Sequence, residues 1–142
     1  MGDKGRVVAM DISPAMVEAA EKRVKGASNI ELFVSQAELF TSGSENFDLI
    51  LCHQVFPHME NKGACLEKFH KLLAPGGKVV IFHFIDLEEI NNVHRKAGTV
   101  IENDMMPDNL EMERLFKGAG FTIKFIRNGG DGYFLMADKT EI

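Results

Sequence analysis

Tryptophan is absent from this chain, and tyrosine and cysteine are nearly absent. The 142 residues include one tyrosine, Tyr133, and two cysteines. A cage of aromatic rings for a cationic ligand cannot be assembled from one tyrosine and dispersed phenylalanines. Cys52 and Cys65 lie in an apolar strand and on an apolar helix face without C-x-x-C spacing, which predicts buried, reduced thiols and no disulfide. Cysteine usage of this kind is typical of a cytoplasmic protein.

Signals for membrane insertion, secretion and nucleic-acid binding are also missing. No apolar stretch approaches the roughly 20 residues that a membrane span requires, and residues 1–4 do not resemble a signal peptide. The formal net charge is -5, and no run of basic residues provides a local site for nucleic acid. The composition, 45% hydrophobic and 26% charged, suits one globular domain over residues 1–142. We therefore expect a soluble, intracellular protein that acts on a small molecule or on a protein.

The first half of the chain alternates between strand and helix signals, which indicates a mostly parallel sheet with helices on both faces. An apolar strand, Val7–Asp11, ends in an acid and is followed by a helix predicted over Pro14–Lys25. Ser13 suits the N-cap of that helix, and proline suits its first position. A short strand is predicted over Ile30–Val34. The apolar run Phe47–Cys52 lacks clean alternation, which is typical of a central strand buried on both faces.

The second half continues this alternation and ends in a hairpin. An amphipathic helix over Lys62–Leu73 is ended by Pro75-Gly76-Gly77, and an apolar strand follows at Lys78–Phe84. A glycine-rich turn between the last two strands tolerates positive φ and predicts an antiparallel C-terminus. The other predicted elements are a helix over Leu87–Ala97, a loop at Asn103–Pro107 that is either a lid or an ordinary connection, a helix with Met112, Leu115, Phe116 and Ala119 inside, and strands at Thr122–Arg127 and Tyr133–Ala137.

Four segments in this order resemble class I S-adenosylmethionine-dependent methyltransferases, in particular the small-molecule type-11 branch. They are Val7–Met16, Asn29–Leu39, Phe47–His58 and Leu72–Lys78. The resemblance implies an α/β, Rossmann-like sheet with strand order 3-2-1-4-5-7-6, mostly parallel with an antiparallel C-terminal strand. It also implies S-adenosylmethionine as cofactor and methyl transfer to a small molecule, although neither the methyl acceptor nor its reacting atom is identified. A nicotinamide-dependent oxidoreductase shares the acid at the strand end but not the Pro-Gly-Gly and hairpin pattern.

The resemblance assigns a cofactor-binding role to five residues near the first two strands. Asp11 resembles the acid that binds the ribose hydroxyls, and a carboxylate does offer acceptors for two neighbouring hydroxyl donors. Ile12, followed by Met16, resembles the apolar residue against the adenine face. Gln36 and Ala37 resemble the pair that reads the adenine edge, where the family usually has Asp first. The alternatives are a helix-capping acid for Asp11 and an exposed loop residue for Gln36.

Two histidines follow the strand that resembles the fourth strand of the family. His53 and His58 should therefore lie at the carboxyl edge of the sheet, where open α/β sheets bind ligands. Because imidazole titrates near neutral pH, we expect them to contact the substrate or accept a proton, unless they only pack in the loop. Cys52 and His83 could converge with them on a metal, but no pair has the short spacing of a zinc motif, so no metal is predicted.

The glycine-rich loop that follows strand 1 in this family is missing from the sequence. No G-x-G-x-x-G occurs, and Val7–Asp11 resembles the second strand of the family sheet rather than the first. Relative to the family, the single domain is therefore truncated at its N-terminus, which leaves unpaired strand edges. Three answers stay open: strands 2 and 4 pair directly, a second copy pairs with the edge as a homodimer, or the chain is part of a longer enzyme. A non-catalytic interaction module that pairs through the open edge is the alternative function.

Overall fold

The computed structural model describes residues 2–43, 46–96 and 105–141. Contacts divide the chain into two compact units, residues 1–41 and 42–142, and the single domain over 1–142 stays a prediction. No helix in the described ranges is long and apolar enough to cross a membrane. The first unit contains β1 (Val7–Asp11), α1 (Pro14–Arg23) and β2 (Ile30–Val34). The second contains β3 (Phe47–His53), α2 (Lys62–Leu72), β4 (Leu73–His83), α3 (Leu87–Lys96), α4 (Asn109–Gly118), β5 (Phe121–Gly129) and β6 (Gly132–Lys139).

The first unit is a parallel β1–β2 pair with one helix. The two strands pair in register from Val7 opposite Ile30 to Asp11 opposite Val34. Ser13 caps α1 as predicted, since its hydroxyl accepts a hydrogen bond from the Met16 amide at 3.4 Å. The helix ends at Arg23, two residues earlier than predicted, because the backbone at Val24 has already left the helical conformation.

The second unit is a four-stranded sheet with the order β3–β4–β6–β5. β3 and β4 are parallel, whereas β6 is antiparallel to both β4 and β5, so β6 alone runs in the opposite direction within this sheet. The predicted α/β architecture, mostly parallel with an antiparallel C-terminal strand, is confirmed. In the described residues of the second unit, β3 pairs with β4 on one side and lies at the edge of this four-stranded sheet.

The two faces of the four-stranded sheet differ in burial. α2 packs against β4 and α4, and α4 packs against β5, so the face beneath these helices forms the core. On β3 that face carries buried Cys52, whereas Leu49 and Leu51 on the opposite face are 52% and 57% exposed. The prediction that Phe47–Cys52 is a central strand buried on both faces is therefore wrong. Its apolar pattern does not show which neighbours are present, and β3 lies at the sheet edge.

The Pro-Gly-Gly segment belongs to β4 rather than preceding it. The helix before it ends at Leu72 as the pattern indicated, but the strand begins at Leu73 and ends at His83 instead of spanning Lys78–Phe84. The register with β3 shifts between Phe47 opposite Leu73 and Leu49 opposite Lys78, so the intervening residues bulge. A strand can absorb extra residues in this way without losing the pairing on either side.

The loop before α4 is described from Met105 onward. Met106 is buried, and its backbone is held by the Asn91 side chain of α3, which accepts from the Met106 amide at 2.8 Å and donates to its carbonyl at 3.1 Å. α4 buries Met112 and Phe116, as predicted. The predictions that concern Ala97, Gly98, Asn103 and Asp104 lie outside the described residues.

The C-terminal hairpin confirms the turn predicted from its glycines. Gly129 pairs with Gly132, so Gly130 and Asp131 form a two-residue turn between β5 and β6. Gly132 has φ +110°, and a Cβ at this position would collide with the carbonyl oxygen of His83 on β4. Glycine is therefore required here for two reasons, because an L side chain is strained at this φ and because the backbones approach closely.

We expect Gly132→Ala to lower the free energy of unfolding by roughly 2–4 kcal/mol, since it combines a strained φ with a backbone collision. Urea denaturation of the purified chain measures this. Gly130→Ala is the matched control in the same turn, because its φ is not positive and nothing lies within 4 Å of the added Cβ. Equal stability of the two variants would contradict the close approach of β6 to His83.

Candidate functional site

Asp11 lies at the carboxyl end of β1, at the turn into α1. Its side chain is half-buried, and Oδ1 accepts a hydrogen bond from the Ser13 amide at 2.8 Å. This is the carboxylate's one hydrogen bond within the described chain, so Oδ2 retains its acceptor capacity. The N-cap of α1 is Ser13 rather than Asp11. Asp11 thus shapes the turn and also offers an acceptor to a ligand.

Two large apolar side chains follow Asp11 on the surface of the first unit. Ile12 is 68% exposed and Met16 is 59% exposed, so neither belongs to the core. Val17 is the buried residue of α1. Exposed apolar area next to an unsatisfied carboxylate oxygen suits a ligand that combines a flat apolar ring with hydroxyl donors.

Gln36 and Ala37 lie just beyond β2, at the same end of the parallel pair as Asp11. The Ser35 amide donates to the Asp11 carbonyl at 3.1 Å, which ties the end of β2 to the end of β1. Gln36 is exposed and precedes a short 3-10 helix, Ala37–Leu39, without capping it through its side chain. Sequence reasoning did not predict this helix. The Gln36 amide is left available for hydrogen bonds to a ligand.

His53 and His58 lie at the carboxyl end of β3, as predicted. His53 is the last residue of the strand and is exposed, with its ring 5.5 Å from Phe82 and 5.0 Å from Phe84 between centroids. His58 ends a 3-10 helix, Phe56–His58, and its ring meets that of His94 edge-on at 4.8 Å. The His53 ring thus packs against Phe82 and Phe84, and the imidazoles of His53 and His58 are both exposed.

Two further histidines join this end of the sheet: His83, which the sequence analysis placed near His53 and His58, and His94, which it did not. His83 is the last residue of β4 and is only 5% exposed. Burial, with smaller contributions from the charges of His53, His58 and His94, lowers the pKa of His83 to about 4. His94 lies in the last turn of α3, a position whose neighbours no sequence signal predicts. His83 is therefore neutral near pH 7.

Gln54 adds a strained backbone at the same end of β3. Its φ is 56°, and it is the one non-glycine residue with positive φ in the described ranges. Its amide donates to the Phe82 carbonyl at 2.9 Å, which holds the left-handed conformation in place. Conformations of this kind are uncommon for residues other than glycine and concentrate at functional sites. Nothing in the sequence indicated it.

The thiols and histidines do not assemble a metal centre in the described part of the chain. No three His, Cys, Asp or Glu side chains there lie close enough to hold a metal ion. Cys52 and Cys65 are both buried, as predicted, and no disulfide joins them in the described residues. Burial raises the pKa of Cys52 to about 12, so this thiol stays protonated and is a poor nucleophile or ligand.

Comparison with known families and curated proteins identifies relatives of this chain. Residues 1–81 match the family described as a methyltransferase domain. The ubiquinone/menaquinone biosynthesis C-methyltransferase UbiE of Hydrogenovibrio crunogenus is 25% identical over 146 residues, or 85% of this chain and 58% of the relative. UbiE of Shewanella oneidensis is 29% identical over 157 residues, or 93% and 62% respectively. The chain thus spans about three-fifths of the length of these curated relatives.

Solved structures show the same fold. A SAM-dependent methyltransferase from Aquifex aeolicus aligns with a TM-score of 0.76 and 21% identity, covering 98% of this chain and 71% of that structure. The N-methyltransferase NodS from Bradyrhizobium japonicum, in complex with S-adenosyl-L-homocysteine, aligns with a TM-score of 0.68 and 21% identity, covering 96% and 67%. At this identity the likeness establishes the Rossmann-like methyltransferase fold.

We expect stability to fall as pH is lowered from about 6.5 to about 4, because the unfolded chain binds a proton in this window that folded His83 does not. The stabilisation from neutral His83 is fully present above pH 6.5, and its loss lowers the free energy of unfolding by about 3 kcal/mol at most. Urea denaturation across this range measures it. His83→Gln, which cannot titrate, should flatten this part of the profile, whereas His70→Gln on α2 should not. Parallel profiles for wild type and His83→Gln would contradict the buried neutral imidazole.

Proposed function

Because this chain belongs to the methyltransferase domain family, we propose that it transfers a methyl group from S-adenosylmethionine to a small molecule. The observation that carries the proposal is Asp11, a strand-end carboxylate with one oxygen free of hydrogen bonds from the described chain. The name of the UbiE relatives specifies methyl transfer to carbon, whereas that of NodS specifies methyl transfer to nitrogen. The acceptor atom is therefore left unspecified.

The residues around Asp11 fit the nucleoside half of the cofactor. A carboxylate acceptor, exposed apolar Ile12 and Met16, and the uncommitted amide of Gln36 together match a ribose diol and an adenine ring. In this proposal Asp11 accepts hydrogen bonds from the ribose hydroxyls, and Ile12 and Met16 cover the adenine face. Gln36 bonds the adenine edge beside Ala37. The glycine loop that would hold the rest of the cofactor does not occur in this sequence.

In this proposal His53 and His58 contact the molecule that accepts the methyl group. The cofactor supplies a methyl group on a positively charged sulfur, and transfer depends mainly on holding the acceptor in line with it. His58 is exposed at the end of its 3-10 helix, and an accessible imidazole suits a residue that takes the acceptor's proton. His53, with its ring against Phe82 and Phe84, is positioned to contact the acceptor's apolar part.

The Asp11→Asn variant tests the cofactor site. We expect it to weaken S-adenosylhomocysteine binding about tenfold or more, because the amide keeps the acceptor for the Ser13 amide but replaces Oδ2 with a donor. Isothermal titration calorimetry measures the affinity, with circular dichroism to check the fold.

Two controls accompany this titration. Asp131→Asn, in the hairpin turn, should leave the affinity unchanged, and His58→Gln should retain the affinity while slowing methyl transfer. Unchanged affinity in Asp11→Asn, or no binding by the wild-type chain at micromolar to millimolar concentration, argues against the proposed cofactor site.

We also propose a homodimer formed through the exposed edge of β3. The strand carries one charged residue, Asp48, and no proline or lysine that would discourage pairing. An antiparallel pair centred on Ile50 places Leu49 opposite Leu51 of a second copy and Asp48 opposite Cys52, so no like charges meet. We also propose a cytoplasmic location, because neither of the two cysteines forms a disulfide in the described residues.

Sedimentation velocity over a range of concentrations tests the dimer. We expect wild type to self-associate and Leu51→Lys to raise the dissociation constant at least about tenfold, since a charge on an edge strand opposes pairing. Leu110→Lys is the matched control, because Leu110 is exposed on α4 rather than on the β3 edge. A wild-type monomer at all concentrations would rule the dimer out.

A further inference from the structure

Two buried polar atoms on one face of the four-stranded sheet have no hydrogen-bond partner in the described residues. They are His83 Nε2 at the end of β4 and the Tyr133 hydroxyl at the start of β6. The two residues are register partners, so their side chains share one face of the sheet, and their rings meet edge-on with centroids 6.5 Å apart. Buried polar groups in folded proteins nearly always have a hydrogen-bond partner, so these two atoms indicate a partner outside the described chain, such as a ligand or a water molecule.

The backbone holds this pair in place. Gly132, which precedes Tyr133, allows β6 to approach the His83 carbonyl more closely than any side chain would permit. Tyr133 is fully buried and His83 is 95% buried, so neither ring reaches solvent by a simple rotation. The pair lies at the carboxyl end of β4, the end of an open α/β sheet where ligands bind. The backbone and the burial of both rings thus fix the two unpartnered atoms at this end of the sheet.

Both groups are neutral at physiological pH. Burial raises the pKa of the Tyr133 hydroxyl, and burial together with neighbouring imidazoles lowers the pKa of His83. The phenol hydroxyl can both donate and accept a hydrogen bond, and Nε2 of the neutral imidazole donates or accepts according to its tautomer. This set matches a neutral oxygen and provides no charge to compensate a desolvated anion.

We propose that His83 and Tyr133 form the polar end of the acceptor site and bind a neutral hydroxyl or carbonyl oxygen of the methyl acceptor. The inference rests on the proposed methyl transfer and names the acceptor class, an oxygen-bearing neutral molecule. The rim on this side consists of exposed His58 and half-buried His94, which contact each other. Rotamer changes in these two side chains, common when ligands bind, open the way to the buried pair. An internal water would use the same two partners, and the tests below separate the two.

The first test uses the single tyrosine of the chain. Because Tyr133 is the one tyrosine and tryptophan is absent, ¹³Cζ-tyrosine labelling of the whole chain gives one signal for this site. We expect phenol to shift that signal saturably at about millimolar concentration, whereas toluene, which lacks the hydroxyl, and benzoate, which is an anion, do not. His83→Phe should weaken the phenol response about tenfold. Equal responses to phenol and toluene, or none to phenol, overturn the inference.

The second test separates a ligand site from a permanently hydrated one. Tyr133→Phe removes an unpartnered hydroxyl, so we expect the Tm to rise by about 3–5 °C while saturation-transfer signals from phenol disappear. An unchanged or lowered Tm means that an internal water already satisfies the hydroxyl and overturns the inference. His70→Leu is the matched control, because His70 Nε2 on α2 is also orphaned but lies beside Phe121, and phenol binding should persist there.

The outcomes also separate this inference from the proposed function. If phenol shifts the Tyr133 signal but S-adenosylhomocysteine does not bind, the oxygen site stands and methyl transfer fails. If S-adenosylhomocysteine binds through Asp11 but phenol leaves Tyr133 unaffected, methyl transfer stands and the oxygen site fails.

Discussion

The antiparallel pairing of β4 with β6 is the interaction on which the four-stranded sheet depends. It runs from Lys78 opposite Asp138 to His83 opposite Tyr133. At one end Lys78 donates to Asp138 at 2.6 Å, a hydrogen bond that lowers the pKa of the Asp138 carboxyl. Along the middle of this pair the side chains on the helix-covered face are fully buried. At the other end, Gly132 lets the backbone of β6 lie close to the His83 carbonyl of β4. Because β4 also pairs with β3, this ladder positions both the core and the histidine-rich end.

The chemistry of that end follows from burial rather than from charge. Four imidazoles lie near the ends of β3 and β4. The pKa of the most buried one, His83, is lowered mainly because burial removes water from around the charged imidazolium. The rings of His53 and His58 are exposed at the same end of the sheet. Groups with strongly perturbed pKa values, such as His83, concentrate at functional sites.

Both units also expose large apolar side chains. Ile12 and Met16 beside Asp11, and Leu49 and Leu51 on β3, are large side chains that folding leaves in water. Exposed apolar side chains that cluster often mark a ligand or partner site, because covering them lowers the free energy of the system. In this chain the first pair suits an adenine ring, and the second suits another strand.

The sequence by itself determined the elements, their order and the chemistry of Asp11. Periodicity, capping residues and turn glycines are local signals, so they placed α1, β2, α4 and the hairpin within a few residues and indicated the antiparallel C-terminus. Tertiary structure alone decided that β3 is an edge strand, that Pro-Gly-Gly lies within β4, and that His94 meets His58 while His83 lies beside Tyr133. These facts depend on contacts between residues about 25 to 50 positions apart, and no local pattern encodes which distant strand or helix will be the neighbour.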